Sequence, residues 1–155
     1  MRGRRWPVWL LAIGLLAGCQ GGLWGDNRQQ RFLNYENSLR QEADWLWNNM
    51  NYARTHSTIE GDICAPRTFE HQPVTLSDSE RQASPRDASL ADHLNYAAAL
   101  IGQAHDEWTL YCQSARGSGG TASFIESRLL PAYNSLNQVR LACLPKQPTP
   151  PPGSG

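Results

Sequence analysis

An all-α fold, an antiparallel bundle of three main helices, is what this sequence predicts, on three observations. Three stretches, about residues 27–57, 85–115 and 123–144, repeat apolar or small residues in alternating steps of four and three, the spacing of one helical face. Helix-starting chemistry stands at their beginnings, most plainly in Ser84-Pro85-Arg86-Asp87. A short Gly/Ser-rich connection, Arg116 to Gly120, separates the second stretch from the third, and a tight link makes neighbouring helices antiparallel.

In the first helix the seam runs Phe32, Leu39, Ala43, Leu46, Met50 and Ala53, with Glu36 as its single polar interruption. Asp26 or Asn27 is placed to cap its start, and neither Gly nor Pro occurs between Arg28 and Ser57. The second helix carries Leu90, Leu94, Ala97, Ile101, Ala104, Trp108 and Tyr111. Ser84 is its expected N-cap and Pro85 its first helical residue, while Asp87 faces the positive end of the helix dipole. The third carries Ile125, Leu129, Ala132, Leu136, Val139 and Cys143, with Ser123 and Glu126 as a capping box. Pro131 is expected to bend that helix or to mark its real beginning.

The connection 58–83 is long for a compact domain, yet it contains Ile59, Ile63, Phe69, Val74 and Leu76. It is therefore expected to pack on the bundle, as a short helix or a small hairpin. Residues 145–155 are rich in Pro, Gly and Ser and read as a disordered tail.

The chain opens with Arg2, Arg4 and Arg5, then an apolar run from Val8 to Leu16. A bilayer span needs about 20 apolar residues, so this layout is that of a secretory signal. Leu16-Ala17-Gly18-Cys19 closes the run and resembles the lipobox of bacterial lipoproteins. The resemblance covers residues 1–20 and implies cleavage before Cys19, a diacylglycerol thioether on its sulfur and an acyl chain on its new amino group. Two or three chains hold a protein on a membrane stably where one does not. By resemblance to sorting in two-membrane bacteria, Gln20 points to the periplasmic face of the outer membrane. With a single membrane the same anchor means the outer cell face. The expected organisation is a signal peptide 1–18, a lipid-anchored tether 19–26, a bundle domain 27–144 and the tail.

Composition narrows the function. Removing residues 1–18 takes three of the 14 basic residues and none of the 14 acidic ones, leaving a formal charge of −3 over 137 residues. Lys146 is the single lysine, and no basic patch suited to nucleic acid is present. Apart from Cys19, the cysteines are Cys64, Cys112 and Cys143, an odd number for an oxidising compartment, which suggests one bridge and one leftover thiol. If the second helix runs back toward the anchor and the third climbs again, Cys64 and Cys143 share the far end of the bundle. Cys64–Cys143 is the expected disulfide, with Cys112 a buried thiol. Cys64–Cys112 is the alternative, and requires the 58–83 connection to run down the bundle.

Catalytic and metal motifs find no support. Cys112 and His105 sit seven residues apart on one helix, about 10 Å by helical rise, too far for a nucleophile and its base. No C-x-x-C, Glu-x-x-His, G-x-S-x-G, S-x-x-K or phosphate-loop pattern occurs. Neither a metal nor a cofactor beyond the covalent lipid is expected. One polar-aromatic stripe remains: Trp45, Asn49, Tyr52 and His56 share a face of the first helix, suited either to packing under the long connection or to recognising a partner. The expectation is a non-catalytic envelope lipoprotein acting through protein contacts, as a scaffold or an assembly or escort factor. Small acylated bundles with a disulfide resemble, in architecture alone, the pilotins that escort secretin subunits. A small-ligand sensor or carrier is the alternative, and an enzyme of envelope polymers a more distant one.

Overall fold

A computed structural model describes residues 23–56, 62–114 and 121–144. The leader, Cys19, Ile59, the 115–120 connection and the tail from 145 lie outside the described residues. Four α-helices are described: α1 (Leu23–Thr55), α2 (Asp78–Ala83), α3 (Pro85–Gln113) and α4 (Thr121–Cys143). The three long ones match the three predicted segments and pack on one another as an all-α bundle.

The predicted seams are the core. Every seam residue named for the second and third helices is buried except Tyr111, which packs at the edge with Ala53 of the first. Glu36 occupies its seam position with 0% exposure. Its Oε1 accepts from Arg40 Nη2 at 2.6 Å and its Oε2 from Arg140 Nη2 at 2.7 Å. A carboxylate interrupting an apolar seam is thus held by one arginine a turn away and another on α4, which offsets the cost of removing it from water.

Boundaries shift where capping was misjudged. α1 already contains Leu23–Asp26, so these residues belong to the helix rather than to the expected 19–26 tether, and Asp26 and Asn27 do not start it. Ser84 caps α3 as predicted, its hydroxyl accepting from the Asp87 amide with Pro85 at the first position. α4 begins at Thr121, ahead of the expected Ser123/Glu126 capping box, and continues through Pro131.

Helix direction is the principal correction. Arg28, early in α1, bonds Glu80 of α2 at 2.6 Å and Asp87 of α3 at 3.4 Å, so α1 and α3 start at the same end and run parallel. α4 runs against both. Gln29 donates to the Cys143 carbonyl while Arg54 pairs with Glu126, and Arg86 donates to the Ala142 carbonyl while Arg128 pairs with Glu107.

The chain between α1 and α3 therefore returns the full length of the bundle. After a single 3-10 turn, Asp62–Cys64, residues 65–77 form an extended strap that runs antiparallel to α3. Trp108 Nε1 donates to the Ile63 carbonyl, Phe69 covers Gly102, and Asn95 clasps Val74, accepting from its N–H at 2.8 Å and donating to its carbonyl at 2.9 Å. Ile63, Phe69, Val74 and Leu76 pack against the core, as their sequence pattern suggested. α2 then closes the crossover with a complete capping box between Ser77 and Glu80. Of the short helix and the small hairpin that the sequence left open for this connection, the structure shows the helix.

The strap also decides the disulfide. Cys64 leaves the end of α1 and meets the end of α3, so the bridge is Cys64–Cys112, Cα atoms 5.5 Å apart. The expected Cys64–Cys143 bond does not form, because α4 descends and carries Cys143 to the opposite end of the bundle, beside Gln29. Cys143 is the buried free thiol in place of Cys112.

Candidate functional site

Where the strap leaves α1 and crosses to α3, it stands off the bundle enough to leave a cleft of about 330 Å³. Trp45 of α1, His105, Trp108 and Thr109 of α3, and Arg67 and Thr68 of the strap line it, with the Cys64–Cys112 bridge at its edge. Three separate segments build this site. The helical spacing of His105, Trp108 and Thr109 puts them on the strap side of α3, and the disulfide fixes where residues 64–68 must lie.

Trp45, His105 and Trp108 bring rings to its lining, and a stack of rings runs from Trp45 through His105 to Phe69 and His71 beyond it. Trp45 and His105 stack with centroids 6.2 Å apart, His105 and Phe69 at 6.1 Å, and Phe69 and His71 at 5.0 Å. The Arg67 guanidinium carbon sits 4.7 Å from the Trp45 centroid while its Nη2 donates to Glu42 Oε2 at 2.6 Å. Stacking on an indole and pairing with a carboxylate use one face and one edge of the guanidinium, and its other N–H groups have no partner among the described residues.

Two polar atoms here are out of balance. His105 is only 8% exposed, yet its Nε2 is shielded from water with no partner among the described residues. Glu42 is 7% exposed, and its Oε1 is likewise unpartnered. Burying such groups without a bond costs about 1–3 kcal/mol each, and a bound group that satisfies one recovers that cost. The arrangement suits a guest with an apolar or aromatic body against the rings and a hydrogen-bonding edge toward Arg67. Thr109 offers no activated hydroxyl, because its Oγ1 donates to the His105 carbonyl at 2.9 Å. Among the described residues no group of three His, Cys, Asp or Glu side chains is placed to hold a metal ion.

The predicted stripe divides. Trp45 lies in the cleft under Arg67, and Asn49 is half-buried with an unpartnered Nδ2 among the described residues. Tyr52 and His56 instead stack on each other at 3.9 Å where α1 ends, and His56 Nδ1 lies 3.0 Å from the Tyr52 carbonyl. Trp45 is thus the stripe member that belongs to the cleft. Sequence reading weighed His105 as a base for Cys112 and missed its place here, and it missed Arg67 because strap residues carry no periodicity to place them.

No family model, curated protein or solved structure matches this chain. Its class is defined by the structure alone: a disulfide-pinned helical bundle with two parallel helices joined by a long strap.

Proposed function

We propose that this protein is a lipid-anchored, extracytoplasmic envelope protein that acts without catalysis, by holding a segment of a partner protein in the strap cleft. The observation that carries the cleft's role is a Trp-lined recess to which His105 contributes, with the buried His105 Nε2 unpartnered among the described residues. An aromatic or aliphatic side chain of the partner enters the recess beside Trp45 and Trp108, and polar groups of its backbone meet Arg67. The lipobox resemblance at Leu16-Ala17-Gly18-Cys19 supplies the anchor. A single anchored domain with a surface recess fits a scaffold or escort role.

A photo-crosslinking amino acid at Thr68 or Gln113, compared with one at Ser89 across the bundle, tests this in intact envelopes. A discrete protein adduct from the cleft positions, absent from Ser89 and lost in Trp45→Ala, is expected. Adducts of equal strength from both sides would overturn the assignment. The cleft volume itself favours a second reading, a small-molecule carrier, since about 330 Å³ lies at the lower edge of small-ligand pockets. A stoichiometric small molecule in native mass spectra of the gently purified protein, with no protein adduct, selects it.

A further inference from the structure

We infer that the end of the bundle where α1 starts and α4 stops is seated on the bilayer, with Leu141 and Leu144 entering its interfacial layer. This rests on the lipid-anchor reading and adds how the domain lies relative to the membrane.

Leu141, in the last turn of α4, and Leu144, just past its end, are 69% and 52% exposed among the described residues. That turn sits beside the first turns of α1, since Gln29 donates to the Cys143 carbonyl. α1 in turn begins at Leu23, four residues after Cys19. Four residues reach at most about 14 Å even when fully extended, so an acylated Cys19 keeps this end close to the lipid surface. A tether of that length makes contact intramolecular, so two leucines suffice to set orientation where they would not recruit a free protein.

The polar chemistry of this end is prepared for such a contact. Helix C-termini ordinarily leave carbonyls for water, but here Arg86 takes the Ala142 carbonyl and Gln29 the Cys143 carbonyl. Losing water from that turn therefore strands fewer acceptors. Of the charges nearby, Arg28 pairs with Glu80 and Asp87, and Arg81 with Asp92. Those acids, which would oppose headgroup phosphates, are thus held by arginines. The opposite end shows a useful contrast: Leu110, late in α3, is 62% exposed but lies about the length of the bundle away from the anchor.

The test uses the full-length lipidated protein in phosphatidylcholine vesicles, in a Cys143→Ala background. Nitroxide labels are placed singly through Leu141→Cys, Leu144→Cys and Leu110→Cys, with helicity checked by circular dichroism. Severalfold greater accessibility to dissolved oxygen relative to a water-soluble nickel complex at 141 and 144 than at 110 is the expected result. Vesicle-bound protein with water-like labels at 141 and 144 overturns the seating and leaves the anchor standing. Protein that fails to float with the vesicles overturns the anchor, and the seating with it. Lipid-like values at all three sites overturn the seating as well, since they describe contact without orientation.

Discussion

Glu36 and Arg140 stand 104 positions apart in the chain and meet at 2.7 Å, the carboxylate wholly shielded and the guanidinium reaching over it from α4. Arg140 also donates to Asn37 Oδ1 at 2.6 Å, and Arg40 donates to Asn137 Oδ1 at 2.9 Å. The two arginines therefore lace α1 to α4 in both directions around one buried acid. Such a device fixes the register of an antiparallel helix pair more than it adds stability, because both ions lose water to form it.

Replacing one partner should therefore differ sharply from replacing the acid. Arg140→Ala leaves Glu36 buried with Arg40 alone and should cost about 2–3 kcal/mol, discounted because Arg140 is itself partly exposed. Glu36→Met fills the same space with an apolar chain and should change stability by less than about 1 kcal/mol. Chemical denaturation of both variants is the measurement. An equal, large loss in both would mean that the acid contributes net stability and not only register.

The Cys64–Cys112 bridge joins residues 48 apart, and in the chain-entropy model a loop of that size contributes about 4 kcal/mol. Because it pins the strap at one end while Asn95 clasps the other, Cys112→Ala should raise hydrogen exchange in residues 62–74 first. The Glu36 region of α1 and α4 should keep its protection. Non-reducing peptide maps should show a Cys64–Cys112 cross-linked peptide. A Cys64–Cys143 peptide would contradict the descending path of α4.

Alkali should destabilise this fold through two groups of α4. Burial pushes the Cys143 thiol up, with Asp87 and Glu36 adding to the rise against the lowering effect of Arg86. Burial and then its hydrogen bond to Asp44 Oδ1 at 2.6 Å push the Tyr133 phenol far above its usual range. Both folded values lie above the unfolded ones, about 8.5 for Cys and about 10 for Tyr, so their contribution is complete below those pH values. It is then lost as pH rises toward the folded values. Unfolding free energy measured from about pH 7 to 10.5 should be insensitive to these two groups at first and decline above pH 8–9. Cys143→Ala should remove the earlier part of that decline, and Tyr133→Phe the later part. In the native state Cys143 should also react slowly with thiol reagents at neutral pH.

What the sequence determined by itself was which residues turn inward. The alternating steps of Leu94, Ala97, Ile101 and Ala104 on α3, and of Leu129, Ala132, Leu136 and Val139 on α4, lie in the core because helical period alone assigns a face. Ser84-Pro85 fixed the start of α3 by local capping, and Ile63, Phe69, Val74 and Leu76 revealed that the long connection packs. Helix direction is a different kind of quantity. An apolar seam is equally satisfied by a parallel or an antiparallel neighbour, and a connection of 58–83 is long enough for either. Tertiary contacts decided it: Arg28 with Asp87, Asn95 with Val74, and Trp108 with Ile63, all pairings between residues far apart in the chain. From that one choice followed the Cys64–Cys112 bond, the burial of Cys143 at the far end from it, and the cleft that unites Trp45, His105 and Arg67. Periodicity reports the face a residue takes on its own helix, and only packing between segments decides what that face meets.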